Sequence, residues 1–100
     1  MAFLVALTIT VHLPDNGSLK GKRKELLSLR AALTRRFGAS VAEVDDHDLW
    51  QRATLAAGLV ARSPGELERA ADGIERFLLA RFPGEVRVER LLVSFQDLEP

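Results

Sequence analysis

The alternation of apolar residues near the start of the chain constrains the fold more than any other feature of the sequence. From Phe3 to Leu13 every odd-numbered position is large and apolar, whereas the even-numbered positions are mostly small or polar. Successive side chains of a strand point to opposite faces, so this period of two predicts a β-strand with one strongly apolar face. The turn-forming sequence Pro-Asp-Asn-Gly at 14–17 predicts its end.

The apolar period then lengthens to that of an α-helix. Ser18 is a good N-cap and Gly38 a good C-terminal signal. Between them an apolar stripe recurs at helical spacing, which predicts a helix over 19–37: Leu19, Leu26, Leu29, Leu33 and Phe37. A second helix begins after Ser63, where Pro64 suits the first helical position and Glu66 completes a capping box, and it ends at Phe82-Pro83-Gly84.

Three further strands are predicted. Those over 39–45 and 52–61 are joined by an acidic turn, and the second is almost entirely apolar or small, as expected for a central strand. The last strand alternates from Val86, but its apolar phase changes at Leu91 and Val93. The change predicts a bulge near Arg90, or a tail that packs on something else.

The resulting order is strand, helix, strand, strand, helix, strand. It predicts one ferredoxin-like α+β domain over residues 1–100: a split βαβ sandwich whose four-stranded antiparallel sheet has the order 4-1-3-2 and carries both helices on one face. The 47% hydrophobic content suffices for one core. The residues expected to be buried together are Val5, Leu7, Ile9, Leu26, Leu33, Leu55, Leu59, Ile74 and Phe77.

Composition excludes several classes of protein. Zero Cys excludes disulfides, thiolate metal sites and Cys nucleophiles. No apolar run approaches the roughly 20 residues of a membrane helix, and the Phe3–Leu13 run lacks the flanks of a signal sequence. We therefore expect a cytoplasmic protein with no membrane partner.

Positive charge is concentrated in the first predicted helix, although the net charge is zero. Residues 18–36 hold seven basic groups against Glu25 alone. At about 100° per residue most of them fall opposite the apolar stripe, whereas the charges of the second helix are mixed. Such a face is often only solvated, but the contrast favours phosphate contact. The predicted nucleic-acid-binding residues are Lys20, Lys22, Arg23, Lys24, Arg30 and Arg35.

The least generic stretch is 41–53, which contains the only Trp and four acids. Carboxylates beside His47 could hold a divalent cation, but four consecutive residues at a turn rarely converge on one ion, so no metal site is predicted. We expect Asp48 to cap the turn, Arg52 to reach back to its acids, and Trp50 to be a structural plug rather than a stacking platform. The predicted motif turn, structural or partner-binding, is Asp45, Asp48, Trp50, Gln51 and Arg52.

The same stretch offers little for catalysis. Glu43 and Asp45 are two apart on a predicted strand and are therefore expected on one face. No nucleophile motif, Gly-rich phosphate loop or H-E-x-x-H sequence accompanies them. We predict no enzyme, no catalytic residue and no cofactor.

The chain resembles the YlxP-like family, a small bacterial family of unknown function. The resemblance is carried by Leu13-Pro14 with Ser-Leu-Lys-Gly-Lys-Arg at 18–23, and by Val-Ala-Glu-Val-Asp at 41–45 with Asp-Leu-Trp-Gln-Arg-Ala at 48–53. Gly21 stands where the family typically has an acid, and His47 lies one place later than in the family pattern. The resemblance implies a ferredoxin-like domain. Because members tend to be encoded beside translation factors, including the ribosome-binding factor A, it also implies a link to ribosome assembly or translation.

Two functions from different classes follow. The first is a non-enzymatic protein that binds ribosomal RNA or a ribosome-assembly factor through the basic first helix. The alternative is a dimeric protein-interaction or small-ligand regulatory module that uses the uncovered sheet face. That face is weakly polar, so we expect a homodimer; its positions are Leu4, Ala6, Thr8, Thr10, Ala56, Gly58 and Val60.

Overall fold

The computed structural model describes residues 1–98, and its helices and strands follow the predicted order. They are β1 (Phe3–His12), α1 (Leu19–Phe37), β2 (Ser40–Asp45), β3 (Arg52–Ala61), α2 (Pro64–Arg81) and β4 (Val86–Ser94), followed by a 3₁₀ turn at Phe95–Leu98. None of the helices in this part of the chain is long and apolar enough to cross a membrane.

The sheet is antiparallel with the order β2-β3-β1-β4, which confirms the predicted topology. The two most apolar strands, β1 and β3, are central and pair along their whole lengths, with Phe3 opposite Ala61 and His12 opposite Arg52. β2 and β4 form the two edges.

Both helices cover the sheet face that carries the odd-numbered residues of β1. Leu26, Leu29 and Leu33 of α1 meet Ile74 and Leu78 of α2 over that face in a single buried cluster. Leu59 and Phe77, which we expected to be buried, are only half-buried and pack against the cluster edge. The even-numbered face of the sheet carries no helix and is called the open face below.

Local signals in the sequence set the helix ends. The Ser18 side chain accepts a hydrogen bond from the Gly21 amide at 3.0 Å, and Ser63 accepts one from the Glu66 amide at 3.4 Å. Gly38 ends α1 in the left-handed conformation, with φ of 73°. The predicted helix boundaries are therefore confirmed.

The predicted bulge near Arg90 is wrong. β4 pairs with β1 without a register shift from Val86 to Ser94, and Arg90 takes a position on the helix-covered face opposite Leu7. An arginine is stable there because α2 supplies three carboxylates, at 3.2 Å from Glu68, 2.9 Å from Asp72 and 2.7 Å from Glu75. The hydrogen bond with Asp72 is the main cause that raises the pKa of Arg90 above its ordinary value.

The irregularity of the sheet lies in β2 instead. Glu43 is opposite Leu55 and Asp45 is opposite Thr54, so one extra residue, Val44, interrupts the pairing. Glu43 therefore shares the helix-covered face with Leu55, and Asp45 lies on the other face. The expectation that these two carboxylates share a face is wrong, because the bulge changes the phase of the strand.

We expect Leu33→Ala or Ile74→Ala to lower the free energy of unfolding by about 2 to 5 kcal/mol, because each leaves a cavity in the core. Urea denaturation measures the effect. Leu27→Ala on the exposed side of α1 is the matched control, since Leu27 is 66% exposed, and its midpoint should stay near that of the unchanged protein. Equal effects at Leu33 and Leu27 would contradict this assignment of the buried face.

Candidate nucleic-acid interface

The outer side of α1 carries five cations. The apolar residues that face the sheet leave Lys20, Arg23, Lys24, Arg30 and Arg35 on the opposite side, and all five are exposed. We call these five residues the cationic face. Within residues 1–98 none of them forms a salt bridge with a carboxylate.

The remaining charges of α1 turn toward α2. Glu25 accepts from Arg81 at 3.1 Å, so the one acid of α1 is neutralised by the neighbouring helix. The guanidinium of Arg36 lies 4.7 Å from the centre of the Phe77 ring, a cation–π contact. Neither group weakens the positive potential of the cationic face.

Lys22 does not belong to this surface, and its prediction as a nucleic-acid contact is wrong. Its side chain is only 2% exposed and lies within the buried side of α1. A spacing of four residues from Leu26 and seven from Leu29 puts Lys22 on the apolar stripe, and that spacing was the signal in the sequence.

The buried ammonium of Lys22 holds the motif turn. Its Nζ donates to the carbonyl oxygens of Asp46 at 2.6 Å and Leu49 at 2.7 Å, and it lies 3.1 Å from Oε2 of Glu43. The contact with Glu43 is ionic, because Oε2 lacks hydrogen-bond geometry with any group in residues 1–98. A buried cation is tolerated only when such partners replace water. Lys22 therefore fixes the turn against the first turns of α1.

A second set of hydrogen bonds joins the same turn to the loop after β1. Asn16 Nδ2 donates to the carbonyl oxygens of Ser18 and Trp50. Gln51 Nε2 donates to the carbonyl oxygen of Pro14 at 3.0 Å, and the Leu13 amide donates to that of Gln51 at 2.9 Å. Gln51 is thus a structural member of the motif turn.

Gly21 has a steric role in this arrangement. A Cβ atom at this position would lie 2.4 Å from Oδ1 of Asn16, closer than such atoms approach in proteins. The glycine costs α1 about 1 kcal/mol of helix propensity relative to alanine, but it leaves room for the Asn16 side chain. The close approach of Asn16 thus favours glycine at a position where the YlxP-like pattern has an acid.

Trp50 is 53% exposed, so the expectation of a structural plug is wrong. The carbonyl oxygens of Leu49 and Trp50 accept hydrogen bonds from Lys22 and Asn16, and both side chains are exposed. Together with His12, Gln51 and Arg52 they line a shallow depression of about 460 Å³. The ring therefore lies beside His12 and Arg52, which are paired at the ends of β1 and β3, and no residue of α1 lines this depression.

The acids of the turn are only partly neutralised. Arg52 Nε lies 3.1 Å from Oδ2 of Asp46, which confirms the expected contact between Arg52 and these acids, and Thr54 donates to the same oxygen at 2.6 Å. Asp45 accepts from the Asp46 amide at 2.8 Å. Asp48, which we expected to cap the turn, is exposed and makes no side-chain hydrogen bond within residues 1–98. The described residues contain no group of three or more acids or histidines placed to hold a metal ion.

Comparison with known proteins gives one family match and one related sequence. A family model described as "Protein of unknown function (DUF503)" matches residues 4–90. The uncharacterized protein YlxP of Bacillus subtilis (strain 168) is 30% identical over 64 residues, which covers 64% of this chain and 70% of that protein.

Similar solved structures share the fold at low sequence identity. The designed protein Foldit4 has a TM-score of 0.59 at 12% identity, over 94% of this chain and 98% of that one. A putative antibiotic biosynthesis monooxygenase from Chloroflexus aurantiacus has a TM-score of 0.52 at 11% identity, over 91% of this chain and 93% of that one. At such identities the likeness concerns the ferredoxin-like fold alone.

We expect Lys22→Met to lower the free energy of unfolding by about 3 kcal/mol or more, because it leaves Glu43 without its cation and two carbonyl groups without their donor. Urea denaturation measures the loss. In the Lys22→Met protein, hydrogen exchange should show a greater loss of protection at the amides of residues 46–51 than elsewhere in the chain.

Lys24→Met is the matched control, because Lys24 is exposed on the same helix. It should leave both quantities nearly unchanged. A Lys22→Met protein as stable as the control would contradict the role of Lys22 in holding the motif turn.

Proposed function

The chain belongs to the DUF503 family of proteins of unknown function, and we propose that it acts by binding single-stranded RNA rather than by catalysis. The RNA backbone lies along the cationic face of α1. An unpaired base stacks on Trp50. The preferred partner is ribosomal RNA, free or within an assembly intermediate.

The observation that carries the proposal is the absence of carboxylate partners for the cationic face within residues 1–98. By contrast, three acids of α2 converge on Arg90. Cations without partners on one side of a helix produce a field that points into solvent and attracts a polyanion. Phosphate groups spaced along a nucleic-acid strand match this linear arrangement.

Trp50 supports a single strand over a duplex. Proteins that bind single strands combine a positive surface for the backbone with aromatic rings on which bases stack. Lys22 and Asn16 hold the backbone of the Trp50 turn near the start of α1, so the turn lies at the same end of the helix as the first cations of that face. The centre of the open face carries Thr8, Thr10, Ala56 and Gly58, and the one aromatic side chain of the central strands on that face is His12 at the end of β1, so the other common mode of RNA stacking on a sheet lacks a central platform.

Acids near Trp50 restrict the path of the strand. Glu43 and Asp46 are neutralised by Lys22 and Arg52, whereas Asp45 and Asp48 are exposed. The strand therefore runs from Trp50 along α1 and avoids the tip of the turn. Ribosomal RNA is chosen among RNAs because members of the family tend to be encoded beside translation factors.

Binding to a single-stranded oligoribonucleotide should weaken with salt. Five phosphate contacts at about −0.7 each predict a log–log slope of about −3 to −4 for a single strand. Lys24→Glu with Arg35→Glu should lower the affinity and reduce the slope, while leaving the melting temperature nearly unchanged, because both residues are exposed. Fluorescence anisotropy over a salt series measures both effects.

The matched control is Arg69→Glu with Arg76→Glu, which makes the same charge change at exposed positions of α2. Its slope should stay close to that of the unchanged protein. The proposal fails if the unchanged protein binds no RNA at low salt, or if the two double variants lose affinity equally.

Trp50 is the only tryptophan of the chain, so its own fluorescence reports on stacking. Saturating oligoribonucleotide should quench its emission. Trp50→Ala should weaken single-strand binding by about 1 to 3 kcal/mol, whereas Trp50→Phe should retain most of the affinity. Duplex RNA of the same length should bind both variants alike, because its bases are already stacked. Unquenched emission at saturation would refute the stacking contact even if the cationic face binds RNA.

A further inference from the structure

The open face of the sheet is divided into an apolar half and a polar half. Near the Phe3 end of β1 it carries Val60, Leu91 and Val93, of which Val60 is 62% and Leu91 is 63% exposed. Toward the His12 end it carries Arg87 and Glu89, which pair at 3.5 Å. Large apolar side chains grouped on one exposed surface are typical of an interaction site.

One row across the apolar half has a large residue at one end and small residues at the other. The strand register aligns Ser40 on β2 with Gly58 on β3, Gly58 with Ala6 on β1, and Ala6 with Leu91 on β4. The side chains of this row are therefore small on the β2 side and large on the β4 side.

Gly58 has no evident purpose within the chain itself. A Cβ atom there would meet only Leu4 Cδ1, at 3.8 Å, which is an ordinary contact. Its backbone does not adopt the positive φ that favours glycine. Glycine inside a strand weakens it and often marks a place where another backbone or ligand approaches closely. The close approach of another molecule to the open face accounts for a glycine at position 58.

We propose that the open face is the interface of a homodimer, in which two sheets pack face to face about a two-fold axis that runs along the strands between β1 and β3. This axis places β4 of each copy over β2 of the other at the same level along the strands. Leu91 of one copy then lies over Ser40 and Gly58 of its partner, a large residue over the smallest ones. Residue-for-residue reciprocity of this kind is what a two-fold interface requires.

The size and charge of the surface fit a second copy. β1 and β3 have ten residues each, hence a length of about 33 Å, and four strands span about 19 Å. The face therefore offers about 600 Å² per copy, or about 1,200 Å² in total, the lower end of the range for stable interfaces. The apolar half has no charged side chain to repel its own copy.

The dimer goes beyond RNA binding and does not depend on it. The helices cover the opposite side of each sheet, so both cationic faces stay outside the interface. One dimer would then present two RNA-binding surfaces on opposite sides.

Sedimentation equilibrium of the unchanged chain and three variants tests the proposal. The unchanged protein should sediment at twice its 11.0 kDa chain mass. Gly58→Val and Leu91→Glu should each raise the dissociation constant of the dimer by at least about tenfold. Leu79→Glu makes the same substitution as Leu91→Glu at an exposed position of α2, on the other side of the sheet, and should leave the constant within about twofold.

Gly58→Val separates association from folding. Valine suits a strand better than glycine, so the variant should melt no earlier than the unchanged protein when both are diluted to monomers, even though it dimerises poorly. A monomer at about 100 µM, a concentration at which even weak specific pairs associate, would overturn the proposal, as would a Gly58→Val protein that dimerises normally. RNA titration of the monomeric variant keeps the two proposals apart, because the cationic face should still bind.

Discussion

The buried ammonium group of Lys22 is the interaction on which the motif region depends. It replaces the water it has lost with two strong backbone acceptors and the carboxylate of Glu43. The backbone of the turn is held by Lys22 and Asn16, while the side chains of Leu49 and Trp50 are exposed.

The charges of the molecule are distributed unevenly between its two helices. The charges of α2 are mixed, because three of its carboxylates gather around Arg90 while its cations Arg69 and Arg76 are exposed. α1 has one acid, Glu25, and Arg81 neutralises it from the neighbouring helix. The chain is neutral overall, yet its positive potential is concentrated on the outer side of α1. Within residues 1–98 no carboxylate forms a salt bridge with the cations there.

The position of Arg90 also determines the open face. Because Arg90 continues the regular pairing of β4 instead of forming a bulge, the next two apolar residues of alternating phase, Leu91 and Val93, fall on the side without helices. Arg90 therefore pairs with three carboxylates of α2, and the regular register in which it stands sets the phase of the apolar surface on the other side of the sheet. The cationic face and the open face lie on opposite sides of the molecule, whereas Trp50 shares its depression with His12 and Arg52 at the end of the open face.

The sequence by itself determined the elements, their order, both helix caps and the pairing of the two apolar strands, because periodicity and capping are local and repeat over many residues. The exposure of the cationic face followed from the same periodicity. Tertiary structure decided the roles of Lys22, Trp50 and Arg90, and the bulge at Val44. Each depends on partners far along the chain: Lys22 on carbonyl groups of residues 46 and 49, and Arg90 on acids of α2. A charged residue is expected at the surface unless distant groups compensate its burial, and no local pattern reveals which distant groups will meet.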